Sequence, residues 1–187
     1  MWSVMKDLSS TMSNGQVILP QSVAISYNGL YVVFGNMYYP DGGAVSIFYR
    51  NDHNWVQLGY TIFGETDGDG FGYSVGIADE GVKMVAGTRS SNYVKVFIFS
   101  SDEWILQRRL VGYVGSAFGQ SVSVVSSGSR IIVTSCSYSE NEKWSVYIFS
   151  LPSYSIVVKK RHRWYDTDGI RSGRRTKRVG ENHLCLS

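Results

Sequence analysis

The sequence predicts an all-β protein built from repeats of about fifty residues, and three observations support this. A tryptophan recurs at Trp2, Trp55 and Trp104, and Tyr154 follows in the same place, so the steps are 53, 49 and 50 residues. A Ser-Val pair and a turn glycine also recur in each repeat. Twenty glycines and only three prolines suit short strands joined by tight turns.

Each repeat is predicted to contain four strands. The first carries the Ser-Val pair and alternates apolar with polar residues, as a half-buried strand does. A glycine then supplies the positive φ that a tight hairpin needs. The three pairs, each with its glycine, are Ser22-Val23 with Gly29, Ser74-Val75 with Gly81, and Ser121-Val122 with Gly128.

The other three strands of a repeat differ in character. The second is continuously apolar, as in residues 31–34, and is expected to be buried on both faces. The third is β-branched and aromatic, as in residues 94–99, and the fourth opens with the recurring aromatic residue, as in 55–58. Four strands at this period indicate a β-propeller blade, in which the tryptophan is expected to pack against its neighbours.

We therefore predict β-propeller-type repeats in residues 1–158, with three four-stranded blades plus the first strand of a fourth. The repeats run over about 2–54, 55–103 and 104–153, the closing strand over 154–158, and a disordered basic tail over 159–187. Closed propellers have roughly four to eight blades, so three blades leave open faces that favour self-association. The chain is expected to be a fragment of a longer propeller or to complete a six-bladed ring with a second copy.

Two segments carry a Phe-Gly pair shortly before Ser-Val: Phe71-Gly72 and Phe118-Gly119. This order resembles the Phe-Gly half of the FG-GAP repeat, which builds the seven-bladed propeller of integrin α subunits, and the resemblance covers residues 2–158. The first repeat departs from it, with Leu19-Pro20 in place of the pair. The Gly-Ala-Pro half is degenerate and is represented by Phe34-Gly35-Asn36, Ala86-Gly87-Thr88 and Val133-Thr134-Ser135.

The resemblance also implies calcium, which such repeats often bind between the first two strands of a blade. Here those connections are only residues 27–29, 79–81 and 126–128, and none offers the five or so oxygen ligands that calcium requires. Glu65, Asp67 and Asp69 are weak candidates for a cation site, and a solvated turn is the competing interpretation. No metal and no cofactor is predicted.

Residues 72–76 match Gly-x-Ser-x-Gly, with Ser74 in the nucleophile position. That motif needs a turn from a strand into a helix, whereas Ser74 is predicted to lie within a β-strand. We therefore predict no enzyme activity and no catalytic residue. A lectin or hydrolase with its site at the channel mouth is a further alternative.

The leading hypothesis is a scaffold for protein–protein interaction, because propellers expose variable loops at the ends of a rigid stack. The candidate contact residues lie between the second and third strands of their blades and break the repeat, although for any single one an ordinary surface turn is the favoured interpretation. They are Tyr38, Tyr39, Asp41, Arg89, Asn92, Tyr138 and Glu140.

Charge is divided between the repeats and the tail. The chain carries a net charge of +3, and residues 159–187 alone carry +6. Such a segment suits nucleic-acid binding, while a solvated tail and a shifted reading frame are the competing interpretations. The candidate nucleic-acid contacts are Lys159, Lys160, Arg161, Arg163, Arg174, Arg175, Lys177 and Arg178.

Neither a signal peptide nor a membrane-spanning apolar run is visible in the sequence. The sequence therefore predicts no particular cellular compartment. The two cysteines, Cys136 and Cys185, form no disulfide framework.

If the tail binds nucleic acid, its affinity should fall steeply as salt rises, because basic side chains release counterions from phosphates. Truncation after Val158 should abolish this binding. Fluorescence anisotropy with a labelled oligonucleotide over a salt series would measure both effects, and binding that is absent or independent of salt would refute the hypothesis.

Overall fold

The computed structural model describes residues 20–52, 54–79, 81–137, 143–150 and 156–160, which form three antiparallel sheets. These residues contain strands and turns but no helix. Within these ranges there is accordingly no helix that is long and apolar enough to cross a membrane.

The strands follow one another along the chain, sheet by sheet. The first sheet contains β1 (Ser22–Ile25), β2 (Tyr31–Asn36), β3 (Ala44–Asn51), β4 (Asn54–Gln57) and β5 (Ile62–Phe63). The second contains β6 (Ser74–Ile77), β7 (Lys83–Gly87), β8 (Tyr93–Ser100) and β9 (Glu103–Val111). The third contains β10 (Val122–Val124), β11 (Arg130–Ser137), β12 (Lys143–Ser150) and β13 (Ile156–Lys160).

Sequential strands pair within each sheet, so the predicted four-stranded blade is confirmed. The first sheet differs only at its outer edge, where β4 and β5 pair with successive parts of β3. Together they take the place that the continuous strand β9 has beside β8.

The strand expected to open a fourth blade instead completes the third. β13 pairs with β12, and the register joins Val146 to Lys159 and Ser145 to Lys160. Lys159 and Lys160 therefore belong to a strand rather than to the tail. The reason is that the strand led by the aromatic residue is the outer strand of the preceding sheet, as Trp55 in β4 and Trp104 in β9 show.

The three turn glycines have the predicted conformation. Gly29, Gly81 and Gly128 have φ values of 69°, 63° and 65°. Each amide donates to the carbonyl three residues earlier, over 2.9, 3.0 and 2.7 Å. These bonds close tight hairpins between the first two strands of every sheet.

The apolar core lies between the sheets. Two interblade clusters fill the two spaces. The first cluster joins the first and second sheets and includes Val33, Val45, Ile47, Val75, Ile77, Met84 and Phe97. The second cluster joins the second and third sheets and includes Val85, Val94, Val96, Phe118, Val122, Ile131 and Val133.

Exposure along the first strand of each sheet follows from this arrangement. All four residues of β6 are buried, because the second sheet has a neighbour on both faces. In β1, by contrast, Val23 is 70% exposed and Ile25 is 60% exposed. These two residues occupy the positions of Val75 and Ile77, but no described sheet covers that face.

The recurring tryptophan packs as expected where it is described. The Trp104 ring lies 5.1 Å from that of Phe99 and packs on the first interblade cluster, and its indole N–H donates to the Leu58 carbonyl over 2.8 Å. Trp55 packs against the stacked rings of Phe34 and Phe48. Trp2 and Tyr154 lie outside the described residues.

The sheets approach one another most closely at pairs of glycines. A Cβ atom on Gly35 would lie 2.2 Å from the Gly72 carbonyl oxygen, and one on Gly87 would lie 2.1 Å from that of Gly119. Beside each pair, a serine of the earlier sheet donates to the same carbonyl. The Ser22 hydroxyl reaches Gly72 O over 2.6 Å and the Ser74 hydroxyl reaches Gly119 O over 2.7 Å.

We expect Gly87→Ala to lower the free energy of unfolding by about 2 kcal/mol or more, because the new methyl group displaces a backbone carbonyl. Gly76→Ala is the matched control in the same sheet, since its added Cβ would lie 3.4 Å from the nearest atom, Val124 N. Urea denaturation of both variants measures the difference, and equal stability would contradict the steric role of Gly87.

Candidate functional site

One end of the three sheets carries the longer connections. Tight hairpins close the first two strands at the opposite end, so the loops from second to third strands and the linkers between sheets emerge together. We call this surface the loop end. It comprises residues 37–43, 64–72, 88–92 and 112–119.

The linker at 64–72 is held from both sides. On the first sheet, Gly64 N donates to Gly43 O over 3.0 Å and Phe71 N donates to Gly42 O over 2.8 Å. On the second sheet, Arg89 N donates to the carbonyl of Gly70 over 3.2 Å. The loop at 88–92 also contacts the next linker, because Gly112 N donates to Asn92 O over 2.8 Å. Backbone hydrogen bonds thus connect the whole loop end.

Asp69 organises this linker from inside. Its Oδ2 accepts from the backbone amides of Glu65 and Thr66, both over 3.0 Å, and from the Tyr93 hydroxyl over 2.7 Å. Its Oδ1 accepts from the Thr66 hydroxyl over 2.8 Å and from the Ser91 hydroxyl. Burial alone would favour the neutral acid, but these bonds outweigh it and lower the pKa of Asp69 to about 2.

Glu65 forms an ion-pair cluster beside Asp69. Its carboxylate accepts from Arg109 Nε over 3.0 Å and Arg109 Nη2 over 3.1 Å, and lies 3.1 Å from Lys95 Nζ. Burial opposes ionisation, but the hydrogen bonds from Arg109 and Lys95 outweigh it and lower the pKa of Glu65. The Arg109 guanidinium also lies 4.6 Å from the centre of the Tyr93 ring. Two cations thus pair with the Glu65 carboxylate.

These contacts assign a role to the acidic residues that were weak cation candidates. The carboxylates of Glu65 and Asp69 accept hydrogen bonds from other residues of the protein, whereas Asp67 is an exposed turn residue. Among the described residues, no group of His, Cys, Asp or Glu side chains is arranged to hold a metal ion. Glu65 and Asp69 therefore hold the linker in place, and of the three acidic residues only Asp67 fits the solvated turn that was the competing interpretation.

The structure brings the predicted contact loops of the first two blades to opposite sides of one linker. Tyr38 is 68% exposed, and Asp41 and Arg89 are exposed as well. Tyr39 is half-buried, with its ring 5.5 Å from that of Phe63. Asn92 is half-buried and donates to the carbonyl of Ser90. Tyr138 and Glu140 lie outside the described residues.

Two exposed apolar residues of the loop end were missed in the sequence. Tyr113 is 66% exposed and Val114 is 99% exposed. They lie in a linker between sheets, whereas the prediction considered only loops between second and third strands. The available signal was an adjacent apolar pair flanked by Gly112 and Gly115, which marks a turn rather than a strand.

The remaining sequence candidates have structural positions. Ser74 is buried within β6 and its hydroxyl donates to Gly119 O, so residues 72–76 form no nucleophile elbow. Of the basic candidates, Lys159 and Lys160 lie in β13, and the others lie outside the described residues: Arg161, Arg163, Arg174, Arg175, Lys177 and Arg178.

No family model and no curated protein matches the sequence. Among solved structures, hydrazine synthase from Kuenenia stuttgartiensis is similar with a TM-score of 0.53 and 14% identity, over 80% of this chain and 41% of that one. A proposed 6-phosphogluconolactonase from Bacteroides uniformis is similar with a TM-score of 0.52 and 9% identity, over 83% and 45%.

A structure described as a β-propeller domain is similar as well. It is that of Cps50 (Swd1) from Myceliophteria thermophila, with a TM-score of 0.50 and 8% identity over 75% of this chain and 38% of that one. At these identities the similarity concerns the fold alone. The three sheets are therefore propeller-type blades, and the chain spans less than half the length of these structures.

We expect Asp69→Asn to destabilise the protein by about 2 kcal/mol or more at pH 7, because an amide nitrogen would face N–H and O–H donors. The contribution of Asp69 to the free energy of unfolding should be present above pH 4 and should be lost as the pH falls towards 2, since folding lowers its pKa from 3.8 to about 2. Urea denaturation at several pH values measures this. Asp67→Asn is the exposed control, and an equal loss in both variants would contradict the role of Asp69.

Proposed function

We propose that this chain is a non-enzymatic scaffold that binds a protein partner through the loop end of its propeller blades. The observation that carries the proposal is the exposure of Tyr113 and Val114 on a linker whose backbone is fixed. Gly112 N donates to Asn92 O on one side of the pair, and Ser116 O accepts from the Ser135 hydroxyl over 2.7 Å on the other. Apolar groups presented on a rigid loop lose little entropy on binding.

Tyr38 adds a second aromatic contact on the same end. Tyrosine is enriched at protein interfaces because its ring buries apolar area while its hydroxyl keeps a polar contact. Asp41, Asp67 and Arg89 are exposed on the same end and give it mixed charge, which is typical of the polar rim of an interface. This end thus offers apolar anchors within a polar border.

The opposite end provides a matched control. Tyr27 is 93% exposed there, but it lies in a tight hairpin whose atoms already contact the next blade. Tyr27 N donates to Asp79 Oδ1 over 2.5 Å, and Asn28 Nδ2 donates to the Asp79 carbonyl over 2.5 Å. These turns join blade to blade, whereas the loop end extends longer segments away from the sheets.

A photo-cross-linking amino acid at Tyr38 or Tyr113 should capture one discrete partner in the source cells, and the same group at Tyr27 should not. With the captured partner purified, Tyr113→Ala should weaken binding about tenfold or more, as a buried aromatic anchor does. Tyr27→Ala should leave the affinity unchanged. Capture at Tyr27 alone, or equal losses in both variants, would contradict the proposal.

The second candidate function, nucleic-acid binding by the tail, is favoured by the charge of +6 over residues 159–187. The structure refines the truncation that tests it. Because β13 extends to Lys160, a chain ending at that residue keeps the outer strand of the third sheet and removes the remaining basic residues. Loss of oligonucleotide binding then reports on the tail rather than on the sheet.

A further inference from the structure

The two blade junctions share one arrangement around a glycine of the linker. Gly72 N donates to Gly87 O of its own sheet over 3.0 Å, while its carbonyl accepts from Ser22 of the preceding sheet. Gly119 repeats both contacts one blade later. Its amide donates to Thr134 O over 3.0 Å and its carbonyl accepts from Ser74.

This junction requires glycine on both sides. Gly72 and Gly119 have φ values of 84° and 96°, which residues with side chains rarely adopt. Gly35 and Gly87 leave room for the incoming carbonyls, since a Cβ at either position would lie 2.1 to 2.2 Å from the oxygen. Neither side of the contact accepts an ordinary residue without a shift of the backbone.

The third sheet has a threonine at the position of Gly35 and Gly87. Gly35 pairs with Ser22 and Gly87 pairs with Ser74 across the first two strands of their sheets. Thr134 is the equivalent partner of Ser121, because its amide donates to the Ser121 carbonyl. The side chain of Thr134 is tied to its own sheet. Its hydroxyl accepts from Ser121 N over 3.1 Å and donates to Ser121 O over 3.4 Å. The space that an incoming carbonyl would need is occupied.

The first sheet has a proline at the position of Gly72 and Gly119. All three residues lie two positions before the recurring serine of their own repeat. Proline holds φ near −65° and has no amide hydrogen, so it adopts neither the conformation nor the hydrogen bond of those glycines. Gln21 N donates to Gly35 O over 2.8 Å instead.

We propose that Pro20 and Thr134 prevent the glycine junction, which joins the blades to one another, from forming at the outer faces of the first and third sheets. Neither a further blade nor a second copy of this chain then docks on either end by the glycine contact. The six-bladed ring expected from the blade count would need that contact twice.

Restoring the glycines tests this proposal in the full chain. A Pro20→Gly chain and a Thr134→Gly chain each open one end, so an equimolar mixture should form a head-to-tail heterodimer. Each variant alone, and the wild type, should not form it. A short cross-linker followed by mass spectrometry should find cross-links between the first and third sheets of different chains at least fivefold more often in the mixture.

Pro20→Ala mixed with Thr134→Ala is the matched control, because alanine at 134 keeps the Cβ that blocks the contact and alanine at 20 still disfavours the positive φ of the linker glycines. Thermal melts of every variant show that each chain folds, and the double variant Pro20→Gly/Thr134→Gly provides a second measurement through its own self-association. The proposal is overturned if the wild type gives the same end-to-end cross-links as the mixture. It is also overturned if folded glycine variants, mixed or double, gain none.

Discussion

The close approach of backbone to backbone at the blade junctions is the constraint on which the rest of the structure depends. Gly72 and Gly119 each hold their own sheet through the amide and the preceding sheet through the carbonyl. Because the glycines opposite them have no side chains, the apolar faces of the sheets come near enough to form the two interblade clusters. The recurring serine supports this contact, since its hydroxyl donates to a carbonyl that would otherwise be buried without a donor.

Charged side chains fix the linker that leads into the second sheet. The buried carboxylate of Asp69 accepts hydrogen bonds from the linker backbone and from Tyr93, and Glu65 pairs with Lys95 and Arg109 beside it. Removing Glu65 would leave the buried Lys95 ammonium without its carboxylate partner, which costs more than the pair itself contributes. The cluster therefore specifies the position of the linker, and the linker in turn sets the loops at 37–43 and 88–92.

The strands and the hairpin glycines could be predicted from the sequence, because alternation and turn chemistry are local properties. The assignment of residues 154–158 to a fourth blade was wrong, since the pairing of β13 with β12 depends on contacts between separate segments. Asp69 was misread for a similar reason, as its donors Ser91 and Tyr93 lie more than twenty residues away in sequence. Thr134 was visible in the sequence as a departure from the repeat. That it blocks a further blade junction follows only from the structure, in which a carbonyl of the next sheet lies against Gly35 and another against Gly87.

The second sheet is packed on both faces, and this determines the order in which the sheets should unfold locally. An end sheet can separate by breaking one interblade cluster, whereas the second sheet cannot leave without exposing both. Transient local unfolding should therefore start at the first or third sheet and reach β6–β9 last, as in other linear arrays. Tyr93, which opens β8, thus belongs to the part of the chain whose backbone amides should exchange most slowly with solvent.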